Sequence, residues 1–182
     1  MHSFFFLTFF GALSAVRAQD ANCTELPRGK GPSISPDTSF AFVDSKELAA
    51  FANDAPTPSN YTQSFKNLNA SSTVDKYLGY IALDSYDTNA CASNCTAKDE
   101  CASINIFFER NPTVQVSTDC PNPPSTTTIK CVFWGSAITE LVTQNEGYTD
   151  QAFVVAVAGS NGYYNAKAGK VARYFRLLVC RA

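Results

Sequence analysis

The amino-acid sequence predicts an α+β fold built on an antiparallel sheet, and three observations carry that reading. Many short segments have strand character, such as the alternating Ser103–Glu109, then Ile129–Trp134, and the apolar, β-branched Phe153–Ala158. Only two short segments have helix chemistry, one near Ser45–Phe51 and one over Thr88–Ala97. Third, a cysteine cluster, Cys91-x3-Cys95-x5-Cys101 followed by Cys120 and Cys131, lies across the second helix and the strands after it. Many strands with one or two small helices set apart give α+β rather than alternating α/β, and the chain has no internal repeat.

The elements follow in order. Met1–Ala18 reads as a secretory signal peptide: an apolar run, Phe4–Phe10, leads to Val16-Arg17-Ala18 before Gln19, and the run is too short to span a bilayer. Gln19–Thr38 is an extended lead segment rich in Pro, Gly and Ser, ordered if Cys23 is bridged. Residues 39–164 form the folded domain. Asp44 or Ser45 caps a short helix through Phe51 with Leu48, Phe51 and Ala52 on one side, and Pro56 and Pro58 stop it. Tyr61–Phe65 alternates as a half-buried strand, and Tyr77–Leu83 is a second strand, interrupted by Gly79. Asp87-Thr88-Asn89 supplies N-cap chemistry for the next helix, on which Cys91 and Cys95, four residues apart, share a face. Ser103–Glu109 puts Ile104, Ile106 and Phe108 on one face and Ser103, Asn105 and Phe107 on the other, and Asn111-Pro112 ends it. Pro121–Thr128 reads as a polar loop above Cys120, Ile129–Trp134 as a strand broken at Gly135, and Phe153–Ala158 as a central strand ended by a turn, Gly159-Ser160-Asn161-Gly162.

Composition narrows the function classes. In a secreted chain the seven cysteines are a disulfide framework rather than thiols or a zinc site. Four N-x-S/T sequons agree: Asn60 and Asn69 are the expected glycan acceptors, and Asn22 and Asn94, with cysteine in the middle position, the poorer ones. His2, the one histidine, leaves with the signal, which excludes Ser-His-Asp and Cys-His catalysis and histidine metal sites. No serine stands three residues before a lysine, and there is no G-x-S-x-G. A two-carboxylate glycosidase using Glu109 with Asp119 or Asp150 is the remaining enzymatic option. Against it, Glu109 reads as half of a local or cross-strand ion pair with Arg110. Asp84, Asp87 and Asn89 offer calcium-type oxygens, but the glycine and distant glutamate of an EF-hand loop are absent, and helix capping accounts for Asp87 and Asn89. The expectation is a protein without catalytic residues, cofactor or metal.

Charge is uneven. Sixteen acidic and eight basic residues lie between Gln19 and Tyr164, whereas Asn165–Ala182 carries Lys167, Lys170, Arg173, Arg176 and Arg181 and no acid. An acidic body argues against nucleic acid as a partner. The basic end has three readings: an amphipathic helix touching an anionic membrane surface, a terminal helix or strand on the core, or a gene-model artefact without Cys180 in the natural protein.

The segments Cys91-x3-Cys95-x5-Cys101, Ser103-Ile104-Asn105-Ile106-Phe107-Phe108-Glu109-Arg110-Asn111-Pro112, Cys120-Pro121-Asn122-Pro123, Ile129-Lys130-Cys131-Val132-Phe133-Trp134-Gly135 and Val157-Ala158-Gly159-Ser160-Asn161-Gly162-Tyr163 resemble secreted fungal proteins with a PAN/Apple-like domain. Asn67-Leu68-Asn69, Tyr77-Leu78-Gly79-Tyr80 and Ser85-Tyr86-Asp87-Thr88 fit too, so the resemblance runs from about Cys23 to Tyr164 and departs at the basic end. It implies an antiparallel sheet cradling a short helix, with bridges Cys95–Cys101 and Cys91–Cys131. Of the three remaining cysteines, Cys23 is paired with Cys120. The resemblance also implies a non-catalytic binding module, secreted or in the cell wall, that contacts an extracellular protein or polysaccharide. A surface-coating protein of the wall or matrix is the alternative. Exposed tyrosines would stack on sugars or anchor a protein. The expected contact surface comprises Asn105, Glu109, Arg110, and Asn122 and Ser125 of the projecting loop.

Overall fold

The computed structural model of the chain describes residues 23–166. The signal-peptide reading, Asn22, and the basic residues and Cys180 of the C-terminal end lie outside the described residues. Among these residues three short α-helices, α1 (Ser39–Val43), α2 (Lys46–Asp54) and α3 (Thr88–Thr96), accompany eight strands. The strands are β1 (Tyr61–Leu68), β2 (Ser71–Ser72), β3 (Tyr77–Leu83), β4 (Ser103–Pro112), β5 (Ser125–Trp134), β6 (Thr143–Asn145), β7 (Gly147–Asp150) and β8 (Phe153–Asn165). The main sheet has the order β1-β8-β4-β5-β3 with β7 also on β8, β2 and β6 form a separate ribbon, and every pairing is antiparallel. The α+β reading stands.

Each helix begins on a side-chain cap. Thr38 accepts from the Ala41 N–H, Ser45 from Leu48, and Asp87 from both Asn89 and Ala90. The helices cover one face of the sheet, where Ile104, Ile106 and Phe108 of β4 and Ile129, Cys131 and Phe133 of β5 meet Phe42, Leu48, Cys91 and Cys95 in one core. Three cysteine pairs lie at bonding distance, with Cα separations of 5.6 Å for Cys91–Cys131, 5.3 Å for Cys95–Cys101 and 6.1 Å for Cys23–Cys120. The first two fasten α3 to β5 and to the entry of β4. The third fastens the lead segment, whose extended backbone also donates from Leu26 N–H to Thr113 O and from Gly31 N–H to Thr127 O.

Three boundaries differ from expectation. The Asn111-Pro112 stop is not one, because both residues still pair with Thr126 and Ser125 of β5 at the edge of the ladder. For the same reason the polar loop ends at Pro124, and Ser125–Thr128 is strand. Gly159-Ser160-Asn161-Gly162 is not a turn but the middle of the thirteen-residue β8. Along one edge β8 pairs with β4; along the other it serves β7 with Phe153–Ala156 and β1 with Ser160–Asn165. The glycines belong to the packing of this strand. Gly159, at φ +58°, sits at a register shift against β4, and a Cβ on Gly162 would collide with the Phe65 ring.

Candidate functional site

The sheet face opposite the helices is closed at one end and open at the other. At the closed end Leu68, Val74 and Ile138 pack with Phe65, Phe107, Val132 and Trp134 in a second core. At the open end lies a cleft of ≈ 470 Å³, within the range of ligand sites. Val155 of β8, Asn111 of β4, Thr128 and Lys130 of β5 and Ala82 of β3 line it, and the lead residues Leu26–Lys30 close one side. Tyr148 on β7 and Tyr80 on β3 also line it, 65% and 51% exposed. They belong to opposite outer strands, four strand spacings or roughly 19 Å apart.

Register explains how these side chains meet. Tyr148 lies opposite Val155, and Lys130 lies between Phe107 and Ala82. Glu109, opposite Thr128, is one diagonal step from Lys130, and the two form an ion pair. The Lys130 ammonium is also 4.8 Å from the centroid of the Tyr80 ring, so Glu109, Lys130 and Tyr80 make a connected chain across three strands. Charges at the cleft balance in number: Arg28, Lys30 and Lys130 against Asp84, Asp150 and the Glu109 partner of Lys130.

The contact residues expected from sequence do not assemble into one surface. Asn105 is fully buried: its Oδ1 accepts from Ser72 N–H at 2.8 Å, and its Nδ2 donates to Ser160 Oγ at 2.8 Å and Asn161 O at 3.0 Å. It holds the β2 ribbon to the sheet. Glu109 and Arg110 do not pair with each other, because adjacent strand residues point to opposite faces. Arg110 is buried, donates to Val154 O at 2.9 Å and Asp37 Oδ1 at 2.7 Å, and lies 4.3 Å from the Phe153 ring centroid. Ser125 is part of the same fastening, its N–H and Oγ donating to Asp37 at 2.8 and 2.6 Å. Asn122 is exposed in the Pro121–Pro124 loop. Burial works against the Asp37 carboxylate, but hydrogen bonds from Ser125 and Arg110 outweigh it and hold its pKa below the usual 3.8.

Of the carboxylates considered for glycoside hydrolysis, Glu109 is ion-paired and Asp150 lines the cleft. Asp87, considered for calcium, caps α3. Asn60 and Asn69 are exposed at the two ends of β1, and Asn94 lies on α3 with its Nδ2 donating to Ala90 O. Among the tyrosines, Tyr163 is buried and the Tyr61 hydroxyl donates to Ala92 O, which leaves Tyr77, Tyr80 and Tyr148 as the strongly exposed ones. Sequence reasoning missed Lys130 and the lead wall. The available signal was Lys130 itself, the one charge in the apolar run Ile129–Trp134.

Among the described residues no helix is long and apolar enough to cross a membrane. Against known families, curated proteins and solved structures, no family model, protein or structure matches this chain.

Proposed function

We propose that this chain is a secreted, non-catalytic binding module of the PAN/Apple-like type, contacting an extracellular protein or polysaccharide in the cell wall or matrix. One observation carries the reading: a cleft on the open sheet face, rimmed by two exposed tyrosines and lined by Lys130, which is held between Glu109 and the Tyr80 ring. Such a site is concave, largely preformed and offers both aromatic and hydrogen-bonding contacts. The helix fastened through Cys91 and Cys95 supports the PAN/Apple-like part, since it matches the arrangement that the sequence resemblance implies. Asn60 and Asn69, exposed and away from the cleft lining, are the proposed glycan carriers. Engagement of Glu109 by Lys130 supports a binding rather than hydrolytic role.

The test is a binding isotherm of the labelled secreted protein on an intact wall and matrix preparation. Saturable binding that weakens in the Tyr80→Ala/Tyr148→Ala double variant is expected. Non-saturable deposition, equal in wild type and variant, would replace this reading with the surface-coating one. A non-reducing peptide map of the same material is expected to show Cys91–Cys131 and Cys95–Cys101 peptides and glycans at Asn60 and Asn69.

A further inference from the structure

Resting on the binding-module reading, we infer that the cleft takes a run of an uncharged polysaccharide chain laid across the strands from Tyr148 to Tyr80. Three features of the cleft point to this ligand class rather than to a polyion or a peptide.

The first is charge. Lys130 is neutralised by Glu109, and the remaining cations, Arg28 and Lys30, are matched by Asp84 and Asp150. A polyanion or polycation would meet a repelling partner for each attracting one, so the field favours neither. An uncharged ligand with many hydroxyls can use both signs, accepting from the cations and donating to the carboxylates.

The second is the placing of the aromatic rings. Tyr148 and Tyr80 are presented at opposite sides of a shallow site, roughly 19 Å apart by strand count, rather than converging on one pocket. Peptide interfaces are dominated by anchors that sink into desolvated pockets. Two separated, half-exposed ring platforms suit instead a chain that offers a flat apolar face at intervals and polar groups at its edge. A hexopyranose polymer has that surface, with C–H faces for stacking and hydroxyl edges for the polar lining.

The third is preorganisation. The Lys130 ammonium rests on Tyr80 and is itself tied to Glu109, so the Tyr80 platform is oriented before ligand arrives. Glu109 is therefore a positioning residue: it acts on the ligand through Lys130 and Tyr80.

The experiment is isothermal titration of the secreted, glycosylated protein with a panel of neutral oligosaccharides from glucan, mannan, xylan and chitin, and with polygalacturonate as the acidic probe. Binding of at least one neutral chain is expected, with little change between low and moderate salt. Tyr148→Ala and Tyr80→Ala should each weaken it about tenfold, the scale of one aromatic contact. Glu109→Gln should weaken it less, about threefold, and Tyr80→Ala should abolish that further loss in the double variant, as coupled positions do. Unchanged thermal melting of the two tyrosine variants separates loss of contact from loss of fold. The inference is overturned if no neutral chain binds at millimolar concentration, if polygalacturonate binds better and in a salt-sensitive way, or if both tyrosine variants bind like wild type. A photo-crosslinker placed at Ala82 distinguishes the two failures. A crosslinked protein partner would sink the polysaccharide assignment and keep the binding module, whereas no crosslink to wall or matrix material would sink both.

Discussion

The two faces of one sheet have been built to different ends, and β4 displays the difference within two residues. Arg110 turns toward the helix side, where it is buried, hydrogen-bonded to Val154 and Asp37 and stacked near Phe153. Its neighbour Glu109 turns to the other side and holds Lys130 at a cleft open to solvent. On the helix side, polar groups close a structure: Tyr86 donates to both Ile106 O and Gly159 O, and Asn161 Nδ2 to Ala52 O and Tyr163 Oη. On the open side, similar chemistry is left partly wet. The lesson is that residue type did not decide the role; the face did.

That contrast can be broken from the helix side with effects on stability. The largest is expected from Cys91→Ala/Cys131→Ala, which opens a loop of 40 residues and should lower unfolding free energy by about 4 kcal/mol in the chain-entropy picture. Denaturant titration checks it, and a reduced, alkylated protein that kept the native melting transition would contradict the staple's role. Next is Gly162→Ala, whose Cβ would meet the Phe65 ring and should cost about 1–3 kcal/mol by overpacking. Tyr86→Phe should cost about 1–2 kcal/mol, since it removes the one hydroxyl proton that Ile106 O and Gly159 O share. Burial pushes the Tyr86 pKa well above 10. A raised folded-state pKa gives stability that is complete below the unfolded value near 10 and is lost as the pH rises beyond it. The phenylalanine variant should therefore close part of its deficit in alkaline melts, and a constant deficit would contradict the assignment.

Smaller effects sharpen the comparison. The Asp37 pKa is lowered, so its contribution is present above the unfolded value near pH 4 and is lost as the pH falls through the folded one. Melting temperatures of wild type and Asp37→Asn should differ by a constant amount from pH 5 upward and converge in acid. Smallest of all, Tyr148→Ala should change stability by no more than about 0.5 kcal/mol, as at an exposed site, despite its expected effect on binding.

Much of the fold was legible in the sequence. Alternation located β1 and β4, apolar strand-type runs located β3, β5 and the start of β8, and caps at Ser45 and Asp87 located α2 and α3, because these signals are local. What failed was non-local. The glycines of β8 read as a turn because nothing in the sequence shows Phe65 lying over Gly162. Asn105 read as a contact residue because alternation gives a face but not what covers it, and the β2 ribbon covers it. Glu109 and Arg110 read as partners because they are adjacent, although a strand separates adjacent charges; each found its partner across the fold. The cleft was legible only as scattered tyrosines, since the register that gathers Tyr80, Lys130 and Tyr148 is a tertiary property.

The lead segment has a consequence for biogenesis. One wall of the cleft comes from Leu26–Lys30, while Tyr148 and Val155, which also line it, come from the far end of the described chain. The bridge that anchors the wall joins cysteines 97 positions apart. A partly synthesised or partly oxidised chain thus has tyrosines but no site. Among the described residues the cleft is complete only once β8 and the longest of the three cross-links are in place, so a chain lacking either leaves it open on one side.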